Sequence, residues 1–351
     1  MWSQSVQERV KKWLPIIYSD QPGLYRLSCH AFHSYSIDAT SLAIDLHRML
    51  GIDPPHIDAS LDFFNAKQEE PTGFYHEPFV HELDLSVDRI LEMSGTYLGY
   101  QVAAVLIVLG KAPKYPYRFY EQFLSVGTIE HYMSVNMPWN VAPMGAGNMI
   151  DHGATMMRAN IQFYDECYKD VLDRMYKWLD EHQNKDTGLW GLESAQGKNG
   201  LVQGGYHIMR GMYFYDDRSP NYPERITDTA LASLKECTMF LAGTGEGCHD
   251  MDHFVVLERM LRYTNGYRKA DIRLACERRL EQLQYMHRED GGFSFEAQGS
   301  ITNHNRYDVA PGYSESDLVG TVFYLETIYR MLCVLGIQPS WSSSATHGVS
   351  R

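Results

Sequence analysis

The sequence has few of the features that mark secreted, membrane-spanning or nucleic-acid-binding proteins. Its six cysteines are scattered with no C-x-x-C pair, which in a chain of 351 residues indicates reduced thiols rather than a disulfide framework. Acidic residues outnumber basic ones by 44 to 31, and the net charge of −13 argues against a nucleic-acid or anionic-membrane partner. The longest apolar run, VAAVLIVLG at 102–110, is too short to cross a bilayer, and the N-terminus has no signal-peptide core. A cytoplasmic protein without membrane insertion is therefore expected.

In place of these features the chain has many aromatic side chains and strong helical periodicity. Tyr, Phe and Trp make up 13% of the residues. Apolar side chains recur with the 3.6-residue period of an α-helix along most of the chain, and few alternating strand-like runs compete. The pattern predicts twelve helices, at about 3–15, 35–50, 56–67, 88–110, 117–133, 146–164, 167–183, 201–215, 223–241, 250–264, 268–287 and 314–335.

Two kinds of helix alternate along the chain. Those such as DECYKDVLDRMYKWLDEHQ have one apolar face, whereas those such as DHGATMMRANIQFY are apolar on more than one side and should be buried. Six outer–inner pairs of this kind predict an all-α fold, an (α/α)6 toroid of six helical hairpins. The toroid should form a single domain, 1–337, followed by a flexible tail, 338–351. The inner helices should include 88–110, 146–164, 201–215, 250–264 and 314–335.

A loose repeat follows alternate helices. It reads QEEPTGF at 68–74, QNKDTGLWG at 183–191 and HREDGGFSF at 287–295, with DQPGLY at 20–25 as a fainter copy. Each copy leaves a helix through Gln or a charged residue, turns at a glycine, and then places an aromatic residue or Leu. Three copies at alternate hairpins are harder to explain as ordinary helix-ending turns than one copy would be.

These turns resemble the Q-x-x-x-G-x-W repeats of terpenoid cyclases and of protein prenyltransferase β subunits, which share an α/α toroid. HDMDHFVVLERM at 249–260 resembles the D-x-D-D-T-A motif of class II terpenoid cyclases, with His253 where the next aspartate of that motif stands. The resemblance implies that Asp252 is the proton donor. Against the prenyltransferases, Asp252 stands in place of the zinc-binding cysteine. NMIDHG at 148–153 also resembles a histidine segment of metal-independent monoterpene-alcohol dehydratases on the same toroid.

The inner helices should direct their N-termini, with unsatisfied N–H groups, toward one end of the toroid. The long connections 68–87, 184–200 and 288–313 should gather at that end, where a cavity is expected. The candidate catalytic residues at these helix starts are Asp38, His152, His207, Asp250, Asp252 and Asp317. The candidate substrate-binding residues are Tyr35, Trp139, Tyr206, Arg210, His253, His304 and Tyr313.

The carboxylates at helix starts have an ordinary structural alternative. Asp and Ser in such positions often serve only as N-caps, and SESD at 314–317 suits a cap by Ser314 or Ser316. No H-E-x-x-H, H-x-H or C-x-x-C spacing occurs at the candidate sites, so neither a metal nor another cofactor is expected there.

The histidines and the arginine on the apolar helices also have a structural alternative. His152 and His207 could be hydrogen-bonded core histidines. Arg210 on a buried helix needs a carboxylate partner, and Asp250 or Glu315 could supply it in a purely structural ion pair. The functional interpretation is favoured because ionisable groups from five helices converge on one predicted end.

Asp250 and Asp252 carry the mechanistic prediction. Two close, desolvated carboxyl groups cannot both ionise, so Asp252 should hold a proton beside the charge of Asp250 and act as a general acid. Residues two apart on a helix diverge by about 200°, so both can face one cavity only if Asp250 is the N-cap. His249 or His253 would orient the pair.

Three functions stay open at this point. The first is acid-initiated cyclisation, isomerisation or dehydration of an isoprenoid or similar small hydrophobic substrate, with aromatic faces stabilising a carbocation. The second is carbohydrate chemistry by a glycosidase, epimerase or lyase on an (α/α)6 barrel. The third is a non-catalytic toroid that binds a hydrophobic partner. A closed apolar pocket would favour the first, and an open polar groove lined by Trp the second. A homo-oligomer is compatible with all three.

Overall fold

A computed structural model describes residues 2–79, 94–193, 196–241, 243–305 and 307–345. These residues are predominantly helical, as the sequence predicts. The α-helices of this part of the chain are α1 (Trp2–Trp13), α2 (Ile37–Leu50), α3 (Ile57–Lys67), α4 (Ser94–Leu109), α5 (Thr128–His131), α6 (Pro143–Phe163), α7 (Tyr168–His182), α8 (Gly197–Ile208), α9 (Pro223–Glu236), α10 (Gly247–Tyr263), α11 (Lys269–Gln282) and α12 (Leu318–Leu335).

Shorter elements connect or extend these helices. The two strands β1 (Asn303–His304) and β2 (Tyr307–Asp308) form an antiparallel hairpin before α12, which the sequence pattern did not predict. The 3-10 turns are Leu14–Ile17, Arg118–Phe123, Thr238–Phe240 and Leu283–Met286, and the π-helical turns are Tyr132–Asn136 and Met209–Phe214.

The predicted helix bounds agree with the structure to within a few residues along most of the chain, and they are wrong in one region. The predicted helix 117–133 is a 3-10 turn, a short α5 and a π-helical turn. Gly127 adopts a left-handed φ of 85° between the first two, which ends helical geometry there. The predicted start of the helix at 88–110 lies outside the described residues, and α4 is described from Ser94.

Six helices make a closed cycle of contacts. α2 packs against α4, α4 against α6, α6 against α8, α8 against α10 and α10 against α12, and α12 returns to α2. We call these six the ring helices. The amphipathic helices α7, α9 and α11 pack on ring helices. The ring helices carry most of the fully buried side chains, so the core and the polar groups within it lie where these helices meet.

α12 is the helix of the described chain that is long and apolar enough, by length and composition, to cross a membrane. In the structure 83% of that stretch is buried. It also contains the buried ion pair between Glu326 and Arg330, whose atoms approach to 2.6 Å. Its burial among α2, α10 and α11 is that of a core helix.

The repeated turns share one hydrogen-bonding scheme. The Gln68 amide donates to the carbonyl oxygens of Gly73 and Tyr115, each at 2.8 Å, and its oxygen accepts the Tyr115 backbone N–H. The Gln183 amide likewise donates to the Gly188 carbonyl, and its oxygen accepts a backbone N–H from the segment before α9. The glutamines of these two repeats therefore close their own turns and fasten them to a later segment of the chain. In the third copy His287 takes this place, with Nε2 3.2 Å from the Gly291 carbonyl oxygen.

The prediction of a flexible tail at 338–351 is wrong for the described residues up to 345. Trp341 is buried, and its indole N–H donates to the Leu325 carbonyl at 3.0 Å. The Ser344 backbone N–H donates to the buried carboxylate of Glu326 at 2.7 Å. The segment packs here because the buried charges of α12 require polar partners. Residues 346–351 lie outside the described residues.

Gly73→Ala should destabilise the fold more than Gly51→Ala. Both glycines have a left-handed φ, 79° and 67°, which costs an alanine about 1–2 kcal/mol. A Cβ at Gly73 would also overlap the Pro116 carbonyl oxygen, whereas a Cβ at Gly51 would meet no described atom within 4 Å. Urea unfolding should therefore give a loss of at most about 2 kcal/mol for Gly51→Ala and a larger loss for Gly73→Ala. Equal losses would contradict the close packing of the first repeat.

Candidate active site

A narrow cleft at the N-terminus of α2 is lined by several ionisable side chains, among them Asp38, Glu77 and His304. His304 on β1 places Nδ1 2.6 Å from a carboxylate oxygen of Asp38, and the two side chains are 15% and 8% exposed. The N-cap of α2 is Ser36, whose hydroxyl accepts the Ala39 N–H. Asp38 therefore does not serve as the cap, and its carboxylate is used to hold the imidazole of His304.

Glu77 is buried beside this pair. Its two carboxylate oxygens accept the backbone N–H groups of Ile37 and Asp38, at 2.8 and 3.0 Å. Burial raises the pKa of Glu77 to about 8, and the charge of Asp38 adds to the rise against the two backbone hydrogen bonds. The carboxyl group is therefore largely protonated at neutral pH. Glu77 was not among the residues predicted from the sequence, where its one signal was its position in the long connection 68–87.

The remaining walls of the cleft are mostly apolar and aromatic. The rings of Phe79 and Tyr307 meet edge to face at 5.6 Å, and His33 stacks on Phe79 at 3.6 Å. No tryptophan is among the described residues that line the cleft. The other apolar lining residues are Leu27, Ala31, Leu98 and Val309.

A second polar cluster lies deeper, where α4, α6 and α8 meet. Asp151 of α6 accepts hydrogen bonds from Nε of Arg210 at 2.8 Å and from Nδ1 of His207 at 2.9 Å. Arg210 also bonds the Tyr100 hydroxyl and lies over the Tyr100 ring. Burial acts to raise the pKa of Asp151, but the charge of Arg210 and the hydrogen bond from His207 outweigh it and lower the pKa. Asp151 is thus the carboxylate that Arg210 requires, and neither Asp250 nor Glu315 has that role.

Tyr97 connects the cleft to this second cluster. Its ring centroid lies 5.3 Å from that of His304 and 5.7 Å from that of His152. The Tyr97 hydroxyl accepts a hydrogen bond from Gln101 at 2.7 Å. His152 stacks on Tyr100 at 4.9 Å, and burial lowers the pKa of His152 to about 3. His152 is therefore neutral at physiological pH and joins the two clusters as an aromatic side chain.

Asp252 has part of the environment that the sequence predicts. It is fully buried, and neither carboxylate oxygen has a hydrogen-bond partner of acceptable geometry among the described residues. Burial raises its pKa well above the ordinary value, the charge of Arg210 opposes the rise, and the charge of Asp151 adds to it. The group is therefore held protonated. The charged groups that act on Asp252 belong to the second cluster, and Asp252 is not among the residues that line the cleft.

The predicted pairing of Asp252 with Asp250 is wrong. α10 begins at Gly247, with Glu246 as its N-cap, so both aspartates lie within the helix and point in different directions. Asp250 faces α11 and accepts two hydrogen bonds from Arg279, at 2.7 and 2.8 Å. An ion pair of this kind satisfies the carboxylate, which leaves it no role in holding a proton on Asp252.

His253 also faces away from Asp252. Its Nε2 lies 2.9 Å from the Ser233 hydroxyl, and its Nδ1 lies 2.8 Å from the His249 carbonyl oxygen. Burial lowers the pKa of His253 to about 3. His253 is therefore a hydrogen-bonded core histidine, which is the structural alternative that the sequence left open for His152 and His207.

Asp317 is an N-cap. Its carboxylate accepts the backbone N–H of Gly320 at 2.7 Å and also those of Phe295 and Ile301. Burial raises the pKa of Asp317 to about 6 against these three hydrogen bonds. The sequence predicted that Ser314 or Ser316 would be the N-cap in this segment, and that prediction is wrong.

The predicted substrate-binding aromatics divide into two groups. Tyr206 belongs to the second cluster, with its ring 5.6 Å from the Arg210 guanidinium. The other three do not line the cleft. Tyr35 packs on Phe63, Trp139 stacks on Trp178, and Tyr313 is 55% exposed beside His30.

No family model matches the sequence, and no curated protein matches it with significant similarity. The function is therefore argued from the chemistry of the site itself.

Asp151→Asn should destabilise the protein by about 3–5 kcal/mol, because it leaves the buried charge of Arg210 without its partner. The matched control is Asp170→Asn, which removes a carboxylate that is 70% exposed and paired with Arg174 on α7. That change should cost less than about 1 kcal/mol. Urea unfolding of both variants measures the difference, and similar losses would contradict the structural role of the Asp151–Arg210 pair.

The pKa of Glu77 predicts a pH dependence of stability. The folded chain keeps a proton that the unfolded chain releases between about pH 4.5 and about pH 8. The stabilisation is complete below that interval and is lost as the pH rises through it. The stability difference is the free energy of unfolding of the parent minus that of Glu77→Gln. This difference should therefore decrease as the pH rises from about 5 to about 8. Urea unfolding across this range tests it, and a constant difference would show that Glu77 ionises normally.

Proposed function

We propose that the protein is an enzyme that uses a protonated carboxyl group and an imidazole to dehydrate or isomerise a small, mostly apolar alcohol of isoprenoid type. The reaction would take place in the cleft at the N-terminus of α2. The observation that carries the proposal is a buried Glu77 with a pKa near 8 beside an imidazole that Asp38 holds in place. A carboxyl group that keeps its proton at neutral pH can act as the acid, and an imidazole held in a fixed orientation can act as the base.

The proton transfers in this proposal balance. Glu77 gives its proton to the hydroxyl oxygen of the substrate, the C–O bond breaks, and water leaves. His304 accepts a proton from the neighbouring carbon at Nε2, because its Nδ1 is oriented toward Asp38. The products are an alkene and water, and proton return from His304 to Glu77 restores the starting state. An isomerisation would follow the same first step, after which water adds at another carbon of the cation and gives its extra proton to the Glu77 carboxylate.

The walls of the cleft favour an apolar substrate. A cationic carbon formed when water leaves would lie beside the rings of Phe79 and Tyr307, and aromatic rings stabilise positive charge. A sugar site commonly has a tryptophan platform, and the described lining has none. These features support the isoprenoid alternative over the carbohydrate alternative.

We also propose the finer fold description, an (α/α)6 toroid of six helical hairpins. It is supported by the closed cycle of the six ring helices and by the amphipathic helices that pack on them. A cytoplasmic setting and a small hydrophobic substrate remain part of the proposal. The burial of the apolar helix α12 supports the cytoplasmic setting, and the apolar side chains of the cleft support the hydrophobic substrate.

The proposed function can be tested by incubating the purified protein with a panel of small isoprenoid alcohols and, in parallel, with oligosaccharides. Gas chromatography and mass spectrometry should detect loss of water or a rearranged alcohol in the first panel only. Asp38→Asn, Glu77→Gln and His304→Gln should each lower kcat by about 10²–10⁴. The control His131→Gln changes an exposed histidine and should leave kcat unchanged.

The same assay distinguishes the two candidate acids. With Glu77 as the acid, kcat of the parent should fall as the pH rises above about 8, because ionised Glu77 has no proton to give. Asp252→Asn should then affect kcat less than Glu77→Gln does. The reverse order, with Asp252→Asn inactive and Glu77→Gln active, would assign the acid to Asp252. Turnover of oligosaccharides alone would overturn the proposed substrate class.

A further inference from the structure

Three side chains with metal-binding atoms meet outside the cleft. The Cys29 thiol, a ring nitrogen of His30 and a carboxylate oxygen of Glu315 all lie within 4.8 Å of one another. We propose that Cys29, His30 and Glu315 form a zinc-binding site, with water as the fourth ligand. This proposal is independent of the reaction proposed for the cleft.

The backbone fixes the two chain segments that carry these residues. Ser28 pairs with Asp317 in an isolated antiparallel bridge, and the Leu318 N–H donates to the Leu27 carbonyl oxygen at 2.9 Å. The turn after Ser28 therefore lies directly opposite Glu315. Residues far apart in the sequence are held together here before any ion binds, which lowers the ordering cost of assembling the ligands.

The carboxylate of Glu315 is oriented by neighbours that are not ligands. Its Oε1 accepts the Ser28 hydroxyl at 2.8 Å and the His30 backbone N–H at 3.3 Å. Its Oε2 is thereby directed at the imidazole, 2.7 Å from His30 Nδ1. Such outer hydrogen bonds are the usual means of aiming a metal-binding carboxylate.

The ligand types and their exposure suit zinc. A thiolate, an imidazole and a carboxylate with one open position are typical of four-coordinate Zn²⁺, which holds neighbouring ligand atoms about 3–4 Å apart. Glu315 is only 9% exposed and anchors the site, whereas His30 is 58% exposed and can move to admit the ion. On binding, the Cys29 thiol releases its proton to solvent and the thiolate bonds the ion.

The alternative cluster at the start of α10 is less suited to bind zinc. It contains Glu246, Cys248 and His249. Nδ1 of His249 is occupied by Asn199, and burial together with the charges of Asp252 and Glu246 raises the pKa of Cys248 well above its ordinary value. A thiol that keeps its proton is a poor ligand. Cys248 therefore provides a matched control for Cys29.

The test uses Co²⁺ as a spectroscopic probe on the full chain after treatment with a chelator. Titration should give a thiolate-to-cobalt charge-transfer band that saturates at one ion per chain and disappears when Zn²⁺ is added. Cys29→Ser should abolish the band and Cys248→Ser should retain it. Ser28→Ala should weaken zinc binding by about 10–100-fold, because it removes an outer hydrogen bond to the carboxylate.

Two readouts keep the outcome decisive. If loss of the helical circular dichroism signal shows that Cys29→Ser does not fold, His30→Ala is used as the test variant instead. His30 is exposed, so its removal should not affect folding. Zn²⁺ should also raise the Tm of the parent and leave the Tm of His30→Ala unchanged. Absence of a thiolate band in the parent would overturn the proposal, as would a band that Cys248→Ser abolishes and Cys29→Ser retains.

Discussion

The buried ion pair between Asp151 and Arg210 is the interaction on which the interior of the ring depends. Arg210 lies on the π-helical turn that continues α8, Asp151 lies on α6, and Tyr100 of α4 bonds the same guanidinium. A single guanidinium therefore fixes three ring helices relative to one another. A buried charge requires this degree of pairing, because the cost of leaving it unpaired exceeds that of most other single changes.

The polar interior reaches the surface through aromatic side chains rather than through further charges. His207 is held by Asp151 and His304 by Asp38, and Tyr97 and His152 lie between these two aspartate–histidine pairs. The inner pair is tied to Arg210, whereas the outer pair opens on the cleft beside Glu77. This difference in access is why the proposed chemistry is assigned to the outer pair.

The cleft and the proposed zinc site are neighbours in the fold. Ala31 and His33, which line the cleft, follow Cys29 and His30 directly in the chain. An ion bound there would fasten the turn at one side of the cleft to the loop that leads into α12.

The sequence by itself determined the helical class, the position of most helices and the alternation of buried and amphipathic ones, because these follow from local periodicity. It also indicated the repeated turns, since their glycines and glutamines act within a few residues of one another. It named Asp38, His207, Arg210 and His304, because ionisable groups on or just before several inner helices were expected to converge at one end.

Only the tertiary structure decided which of these groups meet. A sequence shows that Arg210 needs a carboxylate, but the choice of Asp151 depends on the packing of α6 against α8. Because α10 begins at Gly247, both Asp250 and Asp252 lie within the helix, where residues two apart diverge by about 200°. Glu77 had no local pattern at all, since its raised pKa comes from burial, and burial is a property of the assembled fold.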